Sequence, residues 1–416
     1  MFHRTKIIVT IGKKTLKEDI IRQFVYKGAV IFRYNFSHGS HEDAMELLRI
    51  RKKLEAETSL AITLIGDIAG PEVRIFNYPD NLQLKKNQEI VLYSENSIPD
   101  IHHSEKILIN LDLKKVNLLY QHKILFMDGQ ISGIISEKTE DSIVVKILND
   151  GKLRQNAHCA IPEINYPLDF LTPKDISDIE FCVANSFDSI ALSFIKDEKD
   201  IKSVRDIIKA KNPKSMISLI AKFELPQSIQ NMDAIMQEAD AFFVARGDLA
   251  LENNSWSVPI FQKIITQKAL SYAKPVFIAT QMLESMCNQI SPNRSELNDI
   301  ANSVCDKADA LTLSGETAIG NFPVESVAMM SEVIHHTEEF LYEKKKHIFN
   351  IFKEKPDFKY IINEKDNSVL LYNVGIEDIR KISSERLNLL IYCISDNLYI
   401  YRQCNLYWGI IPILNQ

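Results

Sequence analysis

Short apolar runs and stretches of helical periodicity take turns through the opening of this chain. Thr5 to Gly12 alternates into an apolar strand, and Thr15 to Lys27 follows with leucine and isoleucine at helical spacing. Ala29 to Phe32 predicts a second strand, which leads into Arg33-Tyr34-Asn35-Phe36-Ser37-His38-Gly39. A helix then starts at Ser40, with Glu42 and Asp43 in its first turn. A third run, Ala61 to Ile65, ends in Gly66-Asp67, so three strand–helix beats lie within residues 1–70.

From Gly70 to about Tyr166 the rhythm changes. Short β-type runs (Glu89 to Tyr93, Lys106 to Leu111, Lys123 to Phe126, Ser142 to Ile147) are separated by Asn, Asp and Gly turns, with no amphipathic helix between them. They predict a small all-β domain inserted after the third strand and tethered by Gly70-Pro71 and by Pro162 to Pro167. After Pro173 the strand–helix beat returns. Ser189 to Phe194, Ile217 to Lys222, Ala241 to Arg246, Pro275 to Thr280 and Ala310 to Ser314 are near-continuous apolar runs, as parallel strands are when helices cover both faces.

Three strands before the insertion and five after it make the eight of a closed (β/α)8 barrel. Beyond a long helix, Pro323 to Lys346, a charged and aromatic linker (Lys353 to Lys365) leads to a last unit. Its strands read as Ser368 to Tyr372, Leu389 to Cys393 and Gly409 to Leu414, and its helices lie near Ile376 to Glu385 and Leu398 to Leu406. The expected fold is α/β: a (β/α)8 TIM barrel (1–69 and 168–345), an inserted small β-barrel lid domain (70–167) and a truncated C-terminal α/β domain (346–416).

Size and composition agree with this picture and narrow the partners. A chain of 416 residues exceeds one core of usual size. The net charge of −6, with both signs interspersed, argues against nucleic acid as the main partner. No apolar run reaches the ~18 residues of a membrane helix. Six cysteines lie scattered without a C-x-x-C or C-x-x-H pattern, the usage of a reduced cytosolic protein. KIIVTIG begins so near the N-terminus that no signal peptide is expected, and the location expected is cytoplasmic.

The chemistry sits where the strands end. Between Ile217 and Leu249 two ends are loaded with charge: Lys222-Phe223-Glu224 and Arg246-Gly247-Asp248. Parallel strands present their C-terminal ends on one face, so Lys222, Glu224 and Asp248 can converge although distant in sequence. Two carboxylates and an ammonium suit a divalent metal holding a phosphate or carboxylate ligand; an ion-paired surface is the plain alternative. The other ends carry Asn35 and Ser37, Asp67, Ser193, Thr280, and Ser314 with Glu316. Polar groups at almost every mouth mark a catalytic face.

These residues belong to longer segments that carry a resemblance. RTKIIVTIG, FRYNFSHG, GDIAGPEVR, ALSFIK, AKFE, DAFFVARGDL, FIATQMLESM, SPNRSEL and DALTLSGETAIGNFP occur in an order and at a spacing that resemble the pyruvate kinase family, strongly over residues 4 to about 340 and weakly beyond. The resemblance implies a three-domain subunit assembled as a homotetramer. It also implies transfer of phosphate from phosphoenolpyruvate to ADP, giving pyruvate and ATP, with Mg2+ (or Mn2+) and K+. Such a reaction calls for positioning and cancellation of charge, which metals and fixed cations supply.

By this resemblance Glu224 and Asp248 are ligands of the divalent metal. Lys222 sits against the phosphoryl group and the enolate left behind, the alternative being a simple ion pair to Glu224. The Gly247 and Asp248 amides take the substrate carboxylate. Thr280 contacts substrate and orders the water that delivers a proton, or is a buried strand-end hydroxyl. Arg33 and Arg74 grip phosphate through planar, permanently charged forks, Arg74 on the nucleotide side with Asn35 and His38. Asn35, Ser37, Asp67 and the carbonyl of Ile68 resemble the K+ ligands, and Glu72 agrees, because members with Glu there need the monovalent cation. Ser314 and Glu316 hold the proton-relay water or fix the last barrel turn, and His38 is equally a capping or core histidine.

The chain also departs from the family pattern. Ile68 replaces a threonine and Ala69 a lysine; Met127-Asp128-Gly129 replaces a paired-aspartate turn, and Ala157 a lysine that closes on nucleotide phosphates. Losing one cation to phosphate forfeits ~1.5–3 kcal/mol, about tenfold to a hundredfold in nucleotide use, unless Lys152 or Arg154 swings in. The family continues beyond GIIPIL, and Asn373 to Ile382 lacks its hydroxyl-rich phosphate loop, so no activation by fructose-1,6-bisphosphate is expected. Two other readings stay open: a catalytically impaired paralogue that binds phosphoenolpyruvate or pyruvate in a regulatory role, and an enzyme with a different phosphoryl acceptor.

Overall fold

Burial on both faces is what keeps the barrel strands apolar. Lys6–Ile11, Thr63–Ile68, Ser189–Leu192, Ser218–Phe223, Ala241–Ala245, Val276–Ala279 and Ala310–Leu313 are buried at every position, and Ala29–Asn35 at most. In this computed structural model, which describes residues 3–95, 106–118, 120–127, 129–162, 164, 166–342, 359–363, 368–387 and 389–415, the eight strands pair in parallel in chain order. Lys6–Ile11 closes the ring against Ala310–Leu313. Helices cover the outside; that of His41–Thr58 starts as its sequence predicts, the Ser40 hydroxyl accepting the Asp43 amide at 3.2 Å.

The insertion is a second, separate closed barrel of seven strands, running from Arg74–Phe76 to Ala157–Ala160, with a two-stranded ribbon (Leu82–Leu84 and Gly151–Leu153) beside it. Ile131–Lys138, its longest strand, escapes a reading for apolar alternation. Gly133 fills one of its inward positions, where a Cβ would stand 2.5 Å from Val145, so the packing itself demands the residue that hides the strand.

Both connections between the two barrels are pinned by one carboxylate. Asp175, in the first turn of the helix Pro173–Ala184, accepts the Thr172 amide at 2.8 Å and the Thr172 hydroxyl at 2.6 Å on the returning segment. Its other oxygen accepts the Gly70 amide at 3.2 Å on the outgoing one. Gly70 has φ +70° and lies so close to Ser193 that a Cβ would meet the Ser193 carbonyl at 2.8 Å. Asp175→Ala is expected to leave these buried donors unsatisfied and cost about 1–3 kcal/mol, seen as a lowered urea midpoint. An unchanged midpoint would mean that the hinge is held elsewhere.

The last unit is a four-stranded sheet, ordered Lys359–Asn363, Ser368–Tyr372, Leu390–Ser395, Ile410–Leu414. Its first strand is antiparallel and falls inside what the sequence suggests is a linker: Tyr360-Ile361-Ile362 supplies the β character that the flanking charges mask. Residues 343–346 of the expected long helix, and 353–358 and 364–365 of the linker, lie outside the described residues.

This unit seals the base of the barrel. A single apolar core runs from Ile8, Ile65, Ile220 and Phe277 inside the barrel to Val369, Leu371 and Ile391. At its rim Gln403 reaches Ser189 and Ser218 (3.3 and 3.2 Å), and buried Arg386 grips both oxygens of Asp309 at 2.9 and 2.8 Å. With the base blocked, the opposite, C-terminal face is the open one.

Candidate active site

Adjacent strand ends bring the charged residues together. Arg33 and Asp67 stand on neighbouring strands, and the Arg33 Nε meets Asp67 Oδ2 at 2.5 Å while Nη1 donates to Thr10 at 3.0 Å. Lys222 donates to the Ser193 hydroxyl at 2.7 Å and faces Asp67 at 3.5 Å and Glu224 at 2.9 Å. Ser193 in turn donates to the Ile68 carbonyl at 2.7 Å. Burial disfavours the Lys222 charge, but Asp67 and Glu224 outweigh it and hold its pKa above the ordinary value. Asp67 is likewise opposed by burial and held below its ordinary value by Arg33 and Lys222.

Glu224 is the opposite case. Completely buried, it is pushed up to about 7 by desolvation and by Asp248, against the pull of Lys222. Its Oε2 accepts the Phe194 amide at 2.6 Å, and its Oε1 faces the Lys222 ammonium at 2.9 Å. One ammonium shared with Asp67 leaves these buried carboxylates short of positive charge, which is costly unless a further cation meets them. The Glu224 carboxylate, with Asp248 close enough to oppose its charge, is a donor set of the hard kind that divalent Mg2+ or Mn2+ takes. Asn35, Ser37, Asp67 and the Ile68 carbonyl offer the oxygen set suited to K+. Here the Asn35 amide oxygen accepts the Ser37 amide at 2.9 Å, and Asp67 leans on Arg33 and Lys222.

Across the mouth, Thr280 has φ +72° and Gln281 φ +55°, left-handed conformations costly for any side chain and most so for β-branched Thr280. Buried Arg246 holds them there: it donates to the Thr280 carbonyl at 2.6 Å and the Gln281 carbonyl at 3.2 Å, anchored on Asp299 at 2.7 Å. The hydroxyl so placed accepts the Gly247 amide at 2.8 Å. Glu316 accepts the Leu283 and Ser314 amides at 2.9 and 2.7 Å, one on each oxygen, which is the turn-fixing alternative left open above.

Two hollows open at this face and share His38. One, about 600 Å3, is lined by Thr10, Arg33, Asn35, Thr280 and Ser314; the other, about 780 Å3, lies toward the inserted barrel and is lined by Ser37, Ala69, Arg74, Asn156 and Lys174. The structure therefore separates Arg74 from Arg33: Arg74 donates to the Asn156 carbonyl at 2.7 Å and pairs with Glu72 in the second hollow. Ala157 is buried within the inserted barrel, and Asp128 of the Met127-Asp128-Gly129 turn lies outside the described residues.

Sequence reasoning gave no role to Thr10, Arg246, Tyr166 or Glu252. Glu252, four residues after Asp248, is buried and pushed up to about 8 by desolvation and then by Asp248. The signal was the charge itself, at a position that an amphipathic helix would give to an apolar residue.

A parallel barrel with cations, carboxylates and a hydroxyl gathered at its C-terminal mouth defines a barrel enzyme, and the comparisons with known proteins make it a phosphotransferase. Residues 2–327 match the family model described as pyruvate kinase, barrel domain. The chain is 34% identical to a pyruvate kinase of Thermococcus litoralis over 81% of its own length and 70% of the relative's. It is 33% identical to one of Mycobacterium tuberculosis over 82% and 71%, and 31% identical to one of Chlamydia muridarum over 100% and 88%. The chain belongs to the pyruvate kinase family.

Proposed function

We propose that this chain transfers the phosphoryl group of phosphoenolpyruvate to ADP, giving pyruvate and ATP, in cytoplasmic glycolysis, with a divalent metal and K+. The observation that carries the reading is the fully buried Glu224 carboxylate, met by the Lys222 ammonium at 2.9 Å and opposed by Asp248. A cation bound between Glu224 and Asp248 would neutralise charge on the phosphoryl and carboxylate oxygens of the substrate. Lys222, held charged by its two carboxylates, faces the phosphoryl group in flight and the enolate oxygen released when its P–O bond breaks. The amide of Asp248, joined by that of Gly247 once it exchanges the Thr280 hydroxyl for the substrate, orients the substrate carboxylate. Thr280, fixed by Arg246 and Gly247, places a hydroxyl where the enolate carbon takes up its proton, with Ser314 beside it. Arg33 and Asn35 line the smaller hollow, His38 lines both, and Arg74 faces the nucleotide in the larger one.

Pyruvate formation measured with Mg2+, K+ and each of ADP, GDP and UDP tests the reading; phosphoenolpyruvate binding without turnover on any of them would refute it. Ala69 in the larger hollow, and Ala157 enclosed in the inserted barrel, supply no cation there and favour, as the second reading, a family member with an impaired or altered nucleotide side.

Two finer points belong to the proposal. Trp256, Ile260 and Ile264, four residues apart and 76%, 58% and 40% exposed, give an apolar stripe that suits a homo-oligomer. In the last unit, Glu377 and Asp378 occupy the first turn of the helix Ile376–Ser384, where a bound phosphate would meet two negative charges. Fructose-1,6-bisphosphate is accordingly expected to leave the half-saturation for phosphoenolpyruvate unchanged within twofold; a larger shift would place an effector site here after all.

A further inference from the structure

We infer that Glu252 is a positioning residue, through which the seated inserted barrel fixes the carboxylates Asp248 and Glu224. The inference rests on the reading of those two carboxylates as the metal-binding pair.

The helix Arg246–Glu252 meets three separate parts of the molecule over its last turn and the residue after it. Leu251 packs with Leu125 and Ala160 of the inserted barrel in a small apolar cluster of their own. Glu252, 1% exposed, brings Oε2 to 3.5 Å from the Tyr166 hydroxyl on the segment returning from that barrel. Asn253 donates to the Glu224 carbonyl at 3.3 Å. Tyr166 is itself fixed twice: its oxygen accepts the Ile161 amide at 2.6 Å, and its hydroxyl reaches the Ile161 carbonyl at 3.0 Å. A continuous path therefore runs from Ile161, just past the last strand of the insertion, through Tyr166 and Glu252 to a point one helical turn below Asp248.

Packing alone does not account for the residue type. A leucine or methionine would fill the space without a polar atom for the Tyr166 hydroxyl, and without the cost of burying an acid group that Asp248 and Glu224 both oppose. Buried carboxyl groups in such company align neighbours through hydrogen bonds and through mutual repulsion that a shared cation relieves. Displacing the insertion would move Tyr166, free Glu252 and let the turn bearing Asp248 shift; a small displacement there is enough to spoil a metal site.

The test uses the full-length protein and three variants: Glu252→Ala, Glu252→Gln and Tyr166→Phe. Mn2+ binding is read by water-proton relaxation, amide exchange at Ile161 by mass spectrometry, and pyruvate formation as separate kcat and KM. Glu252→Ala and Tyr166→Phe are expected to weaken Mn2+ binding about tenfold and threefold and to speed exchange at Ile161. Glu252→Gln, which keeps shape and hydrogen bonding, should recover most of the loss. Unchanged Mn2+ affinity in Glu252→Ala and Tyr166→Phe, with only the melting temperature lowered, would overturn the inference and leave packing as the explanation. The metal reading fails separately, if the unsubstituted protein binds no Mn2+ or if Glu224→Gln binds it as tightly.

Discussion

Lys222→Met is expected to lower pyruvate formation by about 10²–10³-fold or more, because it removes the ammonium aimed between Asp67 and Glu224 and hence the fixed charge that meets the developing oxyanion. The loss should fall on kcat, since the charge matters most where negative charge grows in the transition state. Stability should fall with it: Asp67 and Glu224 stay behind in a buried site, and breaking such a group costs about 3–5 kcal/mol. Urea unfolding of the variant separates the two effects. A folded variant that still turns over at a tenth of the original rate would show that Lys222 is only an ion-pair partner.

The second large effect is on pH. Glu224 is raised from 4.5 to about 7 and Glu252 from 4.5 to about 8, in both cases by burial first. A carboxyl raised on folding makes the folded state bind more protons than the unfolded one, so its contribution is fully present below about pH 4.5 and is lost as pH rises through the folded value. Asp188, raised to about 6 by burial, acts with the same sign. Buried His3, lowered from 6.5 to about 4, acts oppositely and only between those values.

From about pH 6.5 to 8 the two glutamates dominate, with buried Lys6, lowered to about 8, acting oppositely near the top of the window, and metal-free protein is expected to lose about 2 kcal/mol across it, at about 1.4 kcal/mol per decade and group. A divalent cation competes with the same protons, so its affinity should rise over this window and level off above about pH 8. Melts with and without Mn2+ measure both. Metal-free stability that rises from pH 6.5 to 8 would mean that these groups are ionised in the folded protein.

Legibility in the sequence followed burial. Strands enclosed on both faces, such as Ser218–Phe223 and Ala241–Ala245, declare themselves as apolar runs, and their charged ends announce the mouth. The inserted barrel was harder to read. Its strands are short, and one inward position goes to Gly133 because Val145 leaves room for nothing larger. Nor does alternation find a strand like Lys359–Asn363, flanked by charge and half exposed.

Within the site, Lys222, Glu224 and Asp248 could be picked out as strand-end chemistry. The pairings around them could not, even where, as with Ser193, the residue itself was noted at a strand end. Ser193 under Lys222, Arg246 under Thr280 and Asp175 between Gly70 and Thr172 each act across 29 to 105 residues of chain. Such pairings depend on which strand ends become neighbours in space, and one sequence records that only after the barrel is assumed.

The sealed base bears on how the molecule is made. Lys6, in the opening strand, donates to the carbonyl of Ile410 at 2.7 Å, and that strand also completes the ring against Ala310–Leu313. During synthesis one edge of this strand can pair early with Ala29–Asn35, but the other must wait for a partner hundreds of residues downstream, exposed meanwhile. Contacts of such long range delay folding and favour association between growing chains. The ribosome and its chaperones thus face their longest exposure with the N-terminal half of this polypeptide.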